Sequence, residues 1–262
     1  MKKTIHYLSI IVLISGTFAS ELLAQKKEYY ELKIFYVKNK AQENLVENYL
    51  QKAVLPALHQ NGIMNVGVFK PIEKDTVLFG KRVYVLIPYK KLVQITATPS
   101  ILANISSNDS IVNVYLNAQQ SSPAFQRIET ILLSAFSANP KMNVPVMSSP
   151  KAERIYELRS YESASEKLYV NKVQMFNAGD EVGLFKRLNF NAVFYAEVLA
   201  GAKMPNIMYM TCFDNLDHRN AQWKVFSSDA QWTKLKAMPE YKLPNVSKNE
   251  QIFLHPTEYS DY

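Results

Sequence analysis

Polar and apolar residues alternate through RIYELRSYE (154–162), with Tyr156, Leu158 and Ser160 on one face and Glu157, Arg159 and Tyr161 on the other. That period of two predicts a strand. The period then changes. Tyr169, Val173 and Phe176 recur at helical spacing behind Ser163 and Ser165, either of which can cap the helix. Gly179 interrupts it. NAVFYAEVLAG and NIMYMTCF read as two further strands around the turn Gly201 to Pro205. LDHRNAQWKVFSSDAQWTKLKAM is helical, capped by Asp217 and broken near Ser227 to Asp229. EQIFLHPTEYS is a last strand that stops at Pro256.

Displacing the sequence by 126 positions repeats this text. Tyr30-Glu31-Leu32-Lys33 falls on Tyr156-Glu157-Leu158-Arg159, Asn65 on Asn191 and Phe69 on Tyr195. After a two-residue change in a loop, VYVLIPYKKL (83–92) falls on IMYMTCFDNL (207–216). The first copy reads as a strand at 29–37, a helix at 41–59, strands at 64–71 and 81–88, a helical stretch after Lys90 and a strand at 125–134. A stretch at 137–151 with three prolines and no aromatics is the linker. The predicted units are therefore 27–136 and 152–262. Strand-helix-strand-strand-helix-strand is the βαββαβ, ferredoxin-like order, an α+β class with helices on one face of the sheet. The uncovered faces must be buried. Two such units facing each other predict a pseudo-dimeric α/β barrel within one chain.

Tyr156 to Arg159, Phe194 to Gly201, Arg219 with Trp223, Trp232, and Phe253 to Ser260 together resemble the NIPSNAP family. The second unit matches over nearly its full length, and the first is a degenerate relative without Trp. Many members have Pro-Gly after the first strand, where this chain has Ser163-Ala164-Ser165. The resemblance implies a dimeric α/β-barrel fold and an exported bacterial type. It brings no catalytic residues to carry over.

The N-terminus changes the picture of where the protein works. Lys2 and Lys3 precede a short apolar run from Ile5 to Ile14, then small residues and a cleavage point at Ala24-Gln25. This is a secretory signal pattern over residues 1–24, predicting export to the periplasm or beyond, with no membrane span after cleavage. The formal net charge of +7 is spread in single residues and pairs, so no nucleic-acid groove is predicted. Cys212 is the sole cysteine, which rules out an internal disulfide, and it sits in an apolar strand as a small core residue. After residue 24 the histidines are His59, His218 and His255, with no metal-ligand spacing among them. No GxSxG, GxxxxGK[ST] or GxGxxG occurs. No metal and no cofactor are predicted; a lone His ligating haem is the alternative.

Candidate chemistry follows from the strand phase. If Tyr156 and Leu158 face the helices, then Glu157, Arg159 and Tyr161 face the space between the two sheets. Tyr195 and Glu197, which share a parity with Asn191 and Val193, and Tyr209 join them as ligand-binding candidates. Glu157 and Arg159 can instead lock the strand as an ion pair. Arg219 and Trp223, four apart on one helix face, allow a cation–π contact. The leading expectation is an exported protein binding a small, partly apolar ligand between its sheets. The alternatives are a cofactor-independent or haem-dependent oxygenase or isomerase, and a non-catalytic structural or interaction module. Assembly into a homo-oligomer is left open.

Overall fold

The structure is a computed structural model and describes residues 26–242 and 244–262. The expected signal and its cleavage point lie outside the described residues. No helix among the described residues is long and apolar enough to cross a membrane.

The first half runs β1 (Tyr29–Tyr36), α1 (Lys40–Tyr49), a π-helical turn (Leu50–Val54), α2 (Leu55–Gln60), β2 (Gly67–Pro71), β3 (Arg82–Tyr89), α3 (Leu92–Ala103), α4 (Ser110–Leu116) and β4 (Arg127–Ala135). The second runs β5 (Ile155–Glu162), α5 (Glu166–Asn177), α6 (Glu181–Arg187), β6 (Ala192–Ala200), β7 (Asn206–Phe213), α7 (Leu216–Ser228), α8 (Ala230–Ala237) and β8 (Lys248–Pro256).

Local chemistry sets the boundaries. Ser165 caps α5 by accepting from the Leu168 N–H, while the Ser163 hydroxyl donates to the Asn245 carbonyl. Asn215, and not Asp217, caps α7 by accepting from the His218 N–H. Asp217 already lies inside the first turn, where its charge favours the helix dipole. Asp229 caps α8 and so marks the break after α7.

All eight strands close one antiparallel barrel, in the order β1-β3-β2-β8-β5-β7-β6-β4. Within each half the first strand is central: β1 pairs with β3 and β4, and β5 pairs with β7 and β8. The halves meet edge to edge, β2 on β8 and β4 on β6, so neither four-stranded sheet keeps an exposed edge.

Helices cover the outside, and both faces of the central strands are buried. The inner face carries Tyr30, Leu32, Tyr156, Leu158, Met210 and Leu254 in one cluster drawn from the whole barrel. The outer face of the first half packs aliphatic residues such as Val46, Leu55 and Val85 under its helices. The outer face of the second half packs aromatics, including Phe176, Phe185, Tyr195, Tyr209 and Phe213.

Candidate functional site

The phase of β5 is opposite to the sequence-based expectation. Tyr156 and Leu158 face the barrel interior, and Glu157, Arg159 and Tyr161 lie under the helices. The physical reason is closure. A barrel wrapped by helices buries both faces of a strand, so apolar character alone does not say which face is inside. Long-range partners decide it, because α7 brings Arg219 and Trp223 over the charged face.

Glu157 is fully buried and sits at the centre of that arrangement. Its carboxylate accepts from Arg159 at 2.9 Å, from Arg219 Nε at 2.9 Å and Nη2 at 2.7 Å, and from Trp223 Nε1 at 2.8 Å. Gln251 Nε2 donates as well. A carboxylate offers about four lone-pair positions. Glu157 is therefore saturated, which suits an anchor and leaves little capacity for proton abstraction.

Arg159 is held along the strand by Glu157, and its guanidinium lies 4.4 Å from the Trp223 ring centre. Its Nε is buried with no hydrogen-bond partner among the described residues. Register places Arg159 opposite Tyr209 on β7, and Tyr209 opposite Tyr195 on β6. The Tyr161 and Tyr209 hydroxyls are 2.8 Å apart. Burial holds the pKa of Tyr161 above the ordinary phenol range and those of Tyr195 and Tyr209 well above it. At neutral pH these phenols are protonated and can donate.

Two further residues complete the site. Lys172 on α5 and Glu181 on α6 form a buried ion pair of 2.9 Å, with the ammonium 4.6 Å from the Phe176 ring centre. The sequence carried one signal for it, a lysine set into the apolar stripe of Tyr169, Val173 and Phe176. Its carboxylate partner comes from a separate helix, beyond the turn at Gly179 and the left-handed Asp180.

Together these groups line a half-open cleft of about 340 Å³ between the outer face of the sheet and the helices of the second half. Arg159, Tyr161, Lys172 and Tyr209 supply its polar wall, and Trp223 and Trp232 its aromatic one. Three of the expected candidates, Arg159, Tyr161 and Tyr209, thus meet at one cavity, with Glu157 fixing Arg159 from below. Tyr195 and Glu197 do not reach it. Tyr195 lines a neighbouring recess, and its hydroxyl has no partner among the described residues. Glu197 is held by the Tyr169 hydroxyl at 2.9 Å. The shared parity of 191–197 fails at Val193, which joins the barrel interior because the β6–β7 register shifts between Ala192 and Phe194.

Cys212 lies in the interior cluster, and burial pushes its thiol up to about 12. Arg219 does lie near the Trp223 ring, at 5.5 Å, but both donate to Glu157. This makes them its clamp.

Comparison with known proteins follows the same division of the chain. No protein of curated function matches the sequence. A provisionally named monooxygenase from Lactobacillus acidophilus NCFM is similar in structure, with a TM-score of 0.54 at 7% identity, over 88% of this chain and 94% of that one. The likeness shows a shared dimeric α/β-barrel fold. A NIPSNAP family protein from Agrobacterium tumefaciens strain C58 is 19% identical over 42% of this chain and 98% of its own, with a TM-score of 0.36. An uncharacterised NIPSNAP domain protein from Burkholderia xenovorans is 20% identical over 40% and 95%, with a TM-score of 0.33. The NIPSNAP family model matches residues 156–261, from the second residue of β5 to the penultimate residue of the chain, so the half that holds the cleft is the half that is similar to a NIPSNAP domain.

Proposed function

We propose that this protein binds a small, partly apolar monoanion in the cleft between β5, β7 and the helices of its second half. One observation carries this reading. Arg159, its Nε unpartnered, stands with Lys172 at a half-open cavity walled by two tryptophans and two phenols. Three cations, Arg159, Arg219 and Lys172, meet two carboxylates, Glu157 and Glu181, which leaves one positive charge at the site. An aromatic or alicyclic carboxylate would complete that balance and rest its ring against Trp223 or Trp232.

Binding suits the site better than base catalysis does. Glu181, on the wall, is tied to Lys172, and Glu157 is saturated. The phenols are held protonated. Trp223 and Trp232 are the only tryptophans in the chain, so intrinsic fluorescence reports on this cleft. Titration with aromatic carboxylates and their neutral amides is expected to change that emission, with the carboxylates tighter. Arg159→Met is expected to weaken carboxylate binding by about tenfold, the value of one charge-assisted hydrogen bond. Unchanged emission across the carboxylate panel would reject the reading.

We also propose that residues 1–24 direct export and are removed. N-terminal sequencing of the protein recovered outside the cytoplasm would then begin at Gln25.

A further inference from the structure

The inward residues of β5 lead to a different space. One end of the barrel is plugged by aromatics: Tyr262 packs its ring against Phe69 and Tyr156, at 5.3 and 5.9 Å between centres. The other end is hollow. A cavity of about 210 Å³ opens there between Ile34, Ile131, Leu158, Val198, Met208 and Ile252. A dry apolar cavity of about 150 Å³ holds benzene, so this one has room for about eight non-hydrogen atoms.

Its wall carries three deep polar side chains, Tyr84, Ser160 and Asn206. Asn206, only 2% exposed, donates through Nδ2 to the Ser160 hydroxyl at 2.8 Å. Its Oδ1 is buried and has no partner among the described residues. A buried amide oxygen without a donor is unfavourable, and a ligand that supplies the donor removes that cost. The rim is electrically balanced. Arg82 stacks on Tyr36 at 3.7 Å, the Tyr36 hydroxyl donates to Glu129 at 2.7 Å, and Lys203 pairs with Glu250. Among the residues that line the mouth, two cations and two carboxylates cancel, with Arg127 set outside it on Glu129, in contrast to the cleft on the other face of β5.

We propose that this barrel mouth is a second binding site, for a small neutral alcohol or phenol whose hydroxyl meets Asn206 and whose ring lies on Leu158 and Met208. A hydroxyl both donates and accepts, so it satisfies the Asn206 amide whichever way the Ser160 hydroxyl is turned. The same strand then serves two sites, Ser160 and Leu158 inward and Arg159 and Tyr161 outward.

The test compares p-cresol, p-xylene and p-toluate, which share one ring and differ in the polar group. Methyl NMR of protein labelled at methionine reads the cavity through Met208, with its signal assigned by Met208→Leu. We expect p-cresol to shift that signal and to bind at least about tenfold tighter than p-xylene, one hydrogen bond's worth. p-Toluate should be weaker than p-cresol here. Asn206→Leu should collapse the preference of cresol over xylene to near unity. If that variant does not fold, the wild-type ratio alone decides. A silent Met208 up to the solubility limit of p-cresol overturns the proposal, as do equal affinities for cresol and xylene or a preference that survives Asn206→Leu. Because the cleft is read by tryptophan and the mouth by Met208, either site can fail without the other.

Discussion

The two halves place the same strand-helix order around one barrel and fill the layer beneath their helices in opposite ways. Counting back 126 positions from Tyr161, Lys172 and Glu181 leads to Phe35, Val46 and Leu55. Tyr209 falls on Val85 once the two-residue loop difference is included. All four first-half residues are buried in one aliphatic-rich cluster. Their second-half counterparts are a phenol, an ammonium, a carboxylate and a phenol, set around a cleft. The fold is therefore satisfied by solid apolar packing at these positions. The polar arrangement of the second half costs desolvation that the architecture does not require. Such a cost supports the binding reading proposed for the cleft.

The largest effect expected from this contrast is at Glu157. Glu157→Gln leaves Arg159 and Arg219 facing a neutral amide in a buried site, and breaking a buried ion pair on one side costs about 3–5 kcal/mol. The corresponding Glu31→Gln should cost about 1 kcal/mol. There the partners are the partly exposed Lys33 and the Tyr89 hydroxyl, a weaker and wetter set. Urea unfolding of the two variants measures the difference. Equal losses would erase the distinction between the halves.

A second experiment rebuilds one half as the other. Lys172→Val leaves Glu181 buried and alone and should cost about 3–5 kcal/mol. Adding Glu181→Leu installs the first-half pair and should return stability to within about 1 kcal/mol of the parent, or above it. The doubly substituted protein should also lose carboxylate binding, since the cleft then carries the aliphatic residues of the first half. A double substitution as unstable as the single one would mean that the ion pair is needed for the fold itself.

Alkaline pH tests how far the halves are independent. Burial raises the pKa values of Tyr195 and Tyr209 in the second half and of Tyr49 and Tyr89 in the first. Cys212 moves from 9.0 to about 12. The folded chain keeps these groups protonated where the unfolded chain releases the protons. Their contribution is thus complete below the unfolded values, near 9.0 for the thiol and 10.0 for the phenols, and it declines as pH rises past them. Because β2–β8 and β4–β6 pairing closes one barrel, both halves should fail in a single transition. Tryptophan emission, which reports only the second half, should coincide with far-UV circular dichroism. Separate midpoints would show that the halves unfold as distinct units.

How much of this was legible in the sequence depends on the range of the interaction. Alternation in RIYELRSYE and the stripe of Tyr169, Val173 and Phe176 are local, and β5 and α5 lie where those periods place them. The sorting of β5 into two faces was legible as well. Which face lay inside was not, because both are buried and the choice rests on Arg219, 62 residues from Glu157. The Lys172–Glu181 pair was missed for a related reason: a turn between two helices joins residues with no common period. The bulge near Val193 broke a parity that the sequence presented as continuous.

The finest test of the contrast is Tyr161→Phe, which puts the first-half residue at this position in the second half. The ring stays, with its edge-on contact to Tyr209 at 5.4 Å between centres. What leaves is one hydroxyl, bonded to the Tyr209 hydroxyl and lying beside Arg159 at the cleft. Removing it costs about 1–3 kcal/mol if the Tyr209 hydroxyl is then left alone, since an orphaned buried partner dominates such losses. The first half avoids that cost because Phe35 and Val85 lie in one apolar cluster and neither needs a hydrogen-bond partner. Tyr161→Phe combined with Tyr209→Phe should therefore be no less stable than Tyr161→Phe alone in thermal unfolding, and both should bind aromatic carboxylates more weakly than the parent. Stability that recovers while affinity does not would assign the two phenols to the ligand, and stability lost in step with each hydroxyl would assign them to the fold.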